Sequence, residues 1–335
     1  MHVPKYVRLK DELLGQIRSG EIPPGSRLPT RERLVQKHGV TRTTVNRAVD
    51  LLKQSCVLDS APRRGTFVTR AQPALRAAVV FPLKTVPSGR AAGATDFLSF
   101  FNSLLSSAGE NIRLTFVPAA SLEKETEQIN GSDAVLWVHP SDRLMDAMQP
   151  YRDKSVIVNR YPSEISCVST DHRGANRAVT DHFIRAAGKR ARYYYLMSGR
   201  SDFVSRERMR GFLDACETYG QFYRQVALKK DFRENVRMLA RISRQSDAPI
   251  VFVSGTCLLT GSVIAAMKET GRVYGKDYFS SDFDNRFSVE NHGIQVTTLL
   301  QDYEEMGLRA ASVLRKIGRK TVREFVPHTI RGLVP

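Results

Sequence analysis

Thr41-Arg42-Thr43-Thr44-Val45-Asn46-Arg47-Ala48 follows the turn His38-Gly39-Val40 and runs on into Val49, Leu51 and Leu52. Val45, Ala48, Val49 and Leu52 recur at helical spacing, which predicts a helix with one buried face. Thr41 suits its N-cap, because the hydroxyl can accept from the free amides of the first turn. The opposite face then carries Arg42, Thr43, Asn46 and Arg47. Arg forks onto guanine, Asn onto adenine, and Thr hydrogen-bonds or touches a thymine methyl. The stretch reads as a DNA recognition helix. The competing reading is the solvated face of an ordinary amphipathic helix, and the neighbouring sequence decides between them.

Upstream, Tyr6, Leu9, Leu13 and Ile17 form one stripe of a helix that Gly20 ends. Pro23-Pro24-Gly25 forces a turn. A second helix begins after Thr30, with Leu34 and Val35 inward, and Gly39 stops it. Downstream, Val57–Ser60 and Thr66–Thr69 read as two short strands around the basic tip Ala61-Pro62-Arg63-Arg64-Gly65. Three helices and a hairpin make a winged helix-turn-helix whose third helix enters the major groove. Arg63 and Arg64 at the wing tip would reach phosphates or an adjacent minor groove.

These residues resemble the GntR family of bacterial regulators. The matching segments are Tyr6…Leu9…Leu13…Ile17, Pro24 to Thr30, Gly39 to Val45, and Gly65-Thr66-Phe67-Val68. The resemblance implies that Arg42, Thr43, Thr44 and Gly65 contact DNA. The family usually places Arg at the position of Glu32. Here Arg31 and Arg33 flank the Glu, and both are candidates for that phosphate contact. With Thr41, Asn46, Arg47, Arg63 and Arg64, these complete the expected DNA-binding set.

The chain has 335 residues, enough for two or three folding units, with 41% hydrophobic and 25% charged content, as in proteins with substantial cores. Net charge is +17; residues 1–70 carry +8 and the following 265 carry +9, so positive charge is densest where the DNA footprint is expected. No apolar run approaches a membrane span, and Met1–Tyr6 lacks the apolar core of a secretory signal, so a cytoplasmic location without membrane partners is expected. Cys56, Cys167, Cys216 and Cys257 are scattered without ligand spacing; reduced thiols and no metal are expected.

After a linker over 71–76, strand and helix patterns alternate. Ala77–Phe81, Arg113–Val117, Ala134–Val138, Val156–Val158, Tyr193–Met197 and Ile250–Val253 are apolar runs separated by helices, including those around 97–108 and 302–317. Such runs indicate parallel sheets covered on both faces, with ligands outside the carboxyl ends of the strands. No nucleophile elbow, Walker loop or dinucleotide fingerprint is present, so neither an enzyme nor a cofactor is expected. His172 and His182 lack ligand spacing and read as solvent-facing or capping residues.

A second resemblance, to LacI/GalR-type repressor cores, covers residues 76–335. It rests on Val168-Ser169-Thr170-Asp171-His172-Arg173-Gly174-Ala175, Glu207-Arg208-Met209-Arg210-Gly211-Phe212, Ser281-Asp282-Phe283-Asp284-Asn285 and Val296–Gln301 with Met306-Gly307. It implies a two-lobed, doubly wound α/β core like that of periplasmic sugar-binding proteins, over 77–335, with crossovers near 160–165 and 290–295. It places Arg208 and Asp284 at effector-binding positions and Phe232 near a stacking position. Phe203 and Gln301 are further candidates, as is Thr256 where the family carries an Asp. Arg suits neighbouring hydroxyls, Asp accepts from two, and a ring covers C–H groups. Competing readings are a helix-surface ion pair for Arg208, a turn residue for Asp284 and plain core for Phe232. Asp171 is expected to organise the hinge. The whole reads as a sugar-responsive regulator, a homodimer on double-stranded operator DNA. Its rivals are a carbohydrate-binding protein without a DNA role and a sugar-modifying enzyme.

Overall fold

The computed structural model describes residues 4–54, 57–61, 65–69, 74–82, 92–188, 190–199, 202–229, 231–285, 296–318 and 320–333. The N-terminal helices are α1 (Lys5–Arg18), α2 (Arg31–His38) and α3 (Arg42–Gln54), followed by strands β1 (Leu58–Ala61) and β2 (Gly65–Val68). The caps act as the local sequence requires. Thr30 accepts from the Arg33 amide at 3.3 Å, and Thr41 accepts from the Thr44 amide at 3.3 Å. Gly39 closes α2 in the left-handed region, φ 59°. Leu9, Leu13, Ile17, Leu34, Val45, Ala48, Val49 and Leu52 form one core, closed below by Val57, Leu58 and Val68. β1 and β2 pair antiparallel, Leu58 opposite Val68 and Ala61 opposite Gly65. The fold is a winged helix-turn-helix.

Two six-stranded sheets follow. The first contains β3 (Leu75–Phe81), β4 (Ile112–Pro118), β5 (Ala134–Val138), β6 (Ser155–Val158), β7 (Ser166–Ser169) and β13 (Arg323–Phe325). Its order is β13-β7-β6-β5-β3-β4, parallel throughout. The second contains β8 (Arg192–Met197), β9 (Tyr223–Ala227), β10 (Ile250–Ser254), β11 (Tyr278–Phe283), β12 (Thr297–Gln301) and β14 (His328–Arg331), in the order β14-β12-β11-β10-β8-β9, with only β14 antiparallel.

Helices α4 (Ala92–Ala108), α5 (Thr126–Asn130), α6 (Asp142–Met148) and α11 (Tyr303–Leu314) serve the first lobe. Helices α7 (His172–Ala187), α8 (Phe203–Thr218), α9 (Phe232–Arg244) and α10 (Thr260–Glu269) serve the second. Each sheet has an apolar cluster on either face, which is why β5, β6 and β10 are buried at every position and apolar at all but Ser155 and Ser254.

The crossings between lobes differ from the expected ones. The chain leaves the first lobe at 170–171, not near 160–165, because β7 still pairs with β6. It returns at 302, after β12 has paired with β11; the other expected crossover, 290–295, lies outside the described residues. A third crossing, at 326–327, joins β13 of the first lobe to β14 of the second. Three strands of chain at the hinge restrict the lobes to opening and closing more than one would.

Candidate functional site

On the N-terminal head, Arg42, Thr43 and Asn46 are exposed on α3, opposite the buried Val45–Ala48–Val49 stripe. Arg31 donates to Asn46 Oδ1 at 3.4 Å and to Thr66 Oγ1 at 3.3 Å. One side chain thereby ties α2, α3 and the wing strand β2 together. Arg33 is exposed on α2. The Arg42 guanidinium lies 3.5 Å from Glu32, so Glu32 of α2 holds a cation of the exposed α3 face. Arg47 turns away: its guanidinium covers the Tyr6 ring at 4.3 Å. Thr41 and Thr44 share a hydroxyl contact of 2.9 Å at the helix start. Gly65 has φ +100°, and a Cβ there would sit 2.7 Å from Arg27 Nε, so the wing needs glycine at this point. Arg63 and Arg64 lie outside the described residues.

In the core, side chains at the carboxyl ends of the strands close a polar ring across both lobes. Its centre is Arg208, on α8, with a side chain only 8% exposed. Its guanidinium lies 3.6 Å over the Phe283 ring, donates to Gly255 O at 2.7 Å and to His172 Nδ1 at 3.4 Å, and stands 4.0 Å from Asp284. Burial pulls its pKa down and Asp284 opposes that. This is a buried cation, not a helix-surface pair; the buried carboxylate of Glu207 on the same helix pairs with Arg210 instead.

Asp284 ends β11 in the left-handed region, φ 58°, a conformation costly for a residue with a Cβ. Its carboxylate accepts from the Gln301 amide at 3.1 Å and from Gln301 Nε2 at 2.7 Å. Asp284 is thus a turn residue that also delivers a carboxylate. Gln301 Nε2 also donates to Tyr303 Oη at 2.8 Å. Tyr303 stacks on His139 at 5.8 Å. His139 Nδ1 pairs with Asn159 Nδ2 at 2.9 Å, and Asn159 Oδ1 with His172 Nε2 at 2.9 Å. The ring returns to Arg208 through His172. The first lobe supplies His139, Asn159 and Tyr303, and the second supplies His172, Arg208, Asp284 and Gln301.

Beside the ring, a second set bridges the lobes. Arg160 donates to Asp142 at 2.7 Å and covers the Phe203 ring at 5.4 Å; Arg206 approaches the same carboxylate at 3.5 Å. The Arg160 hydrogen bond holds the Asp142 carboxyl below its ordinary pKa. Tyr161 donates to Glu207 at 3.0 Å, and burial raises its phenol pKa.

Of the six effector candidates, Arg208, Asp284 and Gln301 meet directly. Thr256 follows Gly255, the acceptor of Arg208, and Phe203 stands in the bridging set. Phe232 instead lies on the rim, 53% exposed and packed at Gly261. His172, expected to face solvent or cap its helix, is instead completely buried, because the first turn of α7 sits under both lobes. Burial and the nearby Arg208 hold its imidazole neutral, well below the usual histidine pKa. His139, Asn159, Tyr303, Arg160 and Tyr161 were missed. Four of them directly follow a strand, in Val138-His139 and Val158-Asn159-Arg160-Tyr161, where parallel sheets present ligand groups.

A winged helix-turn-helix head carrying a two-lobed α/β core of parallel sheets defines the architecture. The chain belongs to the family described as bacterial regulatory proteins, gntR family, which matches residues 5–68. It is 34% identical over 92 residues to the HTH-type transcriptional regulator Rv1152 of Mycobacterium tuberculosis, covering 28% of this chain and 76% of that protein. It is 22% identical over 345 residues to the arabinose metabolism transcriptional repressor of Geobacillus stearothermophilus, covering 93% of this chain and 90% of that one. The core shares its fold with a regulatory protein of the LacI family from Chloroflexus aggregans: TM-score 0.63, 16% identity, 76% of this chain and 96% of that one. No helix among the described residues is long and apolar enough to cross a membrane.

Proposed function

We propose that this protein is a transcriptional repressor whose grip on operator DNA is set by a small sugar held between the two lobes. The observation that carries the reading is the polar ring itself. Donors and acceptors from both lobes converge there: Asn159, His139 and Tyr303 from the first, and Arg208, Asp284 and Gln301 from the second, with Thr256 and Phe203 beside them. A sugar between the lobes would exchange its hydroxyls into these hydrogen bonds and shift the balance between open and closed forms. The similarity to a repressor of arabinose metabolism over most of the chain makes a pentose or hexose the first class to test.

In this reading residues 1–70 form the DNA-binding unit, 71–76 the linker, and 77–335 the effector and dimerisation unit. Arg31, Arg33, Thr41, Arg42, Thr43, Thr44, Asn46 and Gly65 face the operator, with Arg63 and Arg64 at the wing tip, whereas Arg47, turned onto the Tyr6 ring, must leave that ring to reach DNA. Binding, not turnover, is the activity, and the cytoplasm is its place. Leu98, Leu105 and Leu308 stay exposed on α4 and α11 and support a homodimer through the core. A two-fold protein then takes a pseudo-palindromic site.

The test has two arms. Selection of duplexes from a randomised pool yields the preferred site, and Arg42→Ala must abolish the preference. A thermal-shift screen of monosaccharides beginning with arabinose must give a concentration-dependent rise in melting temperature. No sequence preference at moderate salt would overturn the DNA reading; no stabilisation by any sugar would overturn the effector reading.

A further inference from the structure

The polar ring has a direction, and the direction comes from Arg208. A guanidinium has donors only. Its Nε–H faces His172 Nδ1, so that nitrogen is the acceptor and the proton of the neutral imidazole sits on Nε2. His172 Nε2–H therefore donates to Asn159 Oδ1, which orients the amide so that its Nδ2 donates to His139 Nδ1. His139 is left with its proton on Nε2. Asn159 is the only member of this relay bonded to both histidines, and it spends both ends of its amide on them.

The backbone is arranged for this at a cost. His139 and Asn159 are both left-handed, φ 46° and 66°, at the ends of adjacent strands β5 and β6. Side chains with a Cβ seldom adopt this region, because the Cβ crowds the neighbouring carbonyl oxygen. Asn159 is anchored there by its amide on Val168 O at 2.8 Å, and His139 by its amide on Val158 O at 3.1 Å. Asn159 is buried and belongs to the first lobe, whereas His172 and Arg208 belong to the second.

We propose that Asn159 is a positioning residue for effector binding: by fixing the tautomer of His172 from the opposite lobe, it aims the Arg208 guanidinium. The inference rests on the reading that Arg208 meets the effector. It adds that this contact is complete only when the lobes are together. Separation of the lobes removes the Nε2 acceptor and frees the imidazole to turn its proton toward Arg208, where it would repel the guanidinium.

Two substitutions separate this role from packing. Asn159→Gly relieves the left-handed backbone and deletes the amide. Asn159→Asp keeps an acceptor for His172 Nε2–H and forces His139 to place its proton on Nδ1. The full chain, labelled with 15N-histidine, reports both tautomers by nitrogen shift, and arabinose with a panel of aldopentoses and aldohexoses serves as the binding probe.

In the wild type, His172 shows an unprotonated Nδ1 and a protonated Nε2. In Asn159→Gly that preference is lost, and sugar affinity falls at least about tenfold, the scale of one hydrogen bond to a charged group. In Asn159→Asp the His139 proton moves to Nδ1 while His172 and sugar affinity stay close to wild type. An Nδ1-protonated His172 in the wild type, or wild-type sugar affinity in a Gly variant whose His172 preference is lost, overturns the proposal. If no sugar binds the wild type, the effector reading fails, and the relay is judged by the nitrogen shifts alone: an unchanged His172 in Asn159→Gly refutes it.

Discussion

Asp282 is a carboxylate with no exposed surface, directly beneath the turn that presents Asp284. Asn285 Nδ2 donates to it at 2.6 Å and Thr260 Oγ1 donates to the same oxygen. Asn285 is fixed further by its amide on Thr298 Oγ1 at 3.2 Å. Burial pushes the Asp282 pKa up from 3.8 to about 6, against the hydrogen bonds from Thr260, Thr298 and Asn285, while Asp284 adds to the rise. A pKa raised by about two units corresponds to roughly 3 kcal/mol of penalty on the ionised form. The folded state keeps this proton to about pH 6, whereas the unfolded chain releases it near 3.8. The folded state therefore binds more protons between those values, and stability falls as pH rises through that window. The loss is complete above about pH 6.

Asn in place of Asp282 leaves an oxygen for the two donors and removes the charge. We expect Asp282→Asn to be more stable than wild type by roughly 2–3 kcal/mol at pH 7.5, with the difference shrinking towards pH 4. Urea unfolding of both proteins at a series of pH values measures this. Parallel pH profiles, or a variant less stable at every pH, would refute the argument that an ionised, desolvated carboxylate lies under the Asp284 turn.

Glu32→Ala frees the Arg42 guanidinium from its 3.5 Å partner; DNA affinity at low salt should rise a few-fold, read by fluorescence anisotropy, with a steeper salt dependence. Gly211 of α8 faces α7 so closely that a Cβ would collide with Arg173 O and lie 2.9 Å from Arg177 N. Gly211→Ala should therefore destabilise the core by about 1–3 kcal/mol, despite alanine's better helix propensity, as chemical denaturation will show. Thr30→Ala removes the cap bonded to the Arg33 amide and should lower the stability of the head by about 1 kcal/mol, seen as faster hydrogen exchange in α2.

The head is readable from sequence because its determinants are local. The stripe Leu9–Leu13–Ile17, the caps Thr30 and Thr41, and the stop at Gly39 each act within a few residues. The parallel sheets are readable for a similar reason, since β5 and the Ile250–Val253 run of β10 are continuously apolar. The ring was only half visible. His139, Asn159, His172 and Tyr303 come from four segments whose adjacency depends on strand order, β7-β6-β5 in one sheet and β10-β11-β12 in the other. Spacing along the chain carries no record of that order. His172 was misread because its burial comes from the opposite lobe, and the crossings because β7 and β12 end where the polar residues begin.

The proposed switch is a ligand between the lobes that controls the head. It is tested most directly by the affinity of the full chain for its selected duplex, with and without the sugar that stabilises it, in wild type and in Arg208→Ala. Sugar is expected to shift wild-type DNA affinity by about 5–150-fold, while Arg208→Ala binds the duplex as the wild type does and ignores the sugar. A full sugar response in Arg208→Ala, or a wild type whose DNA affinity no stabilising sugar alters, would contradict it.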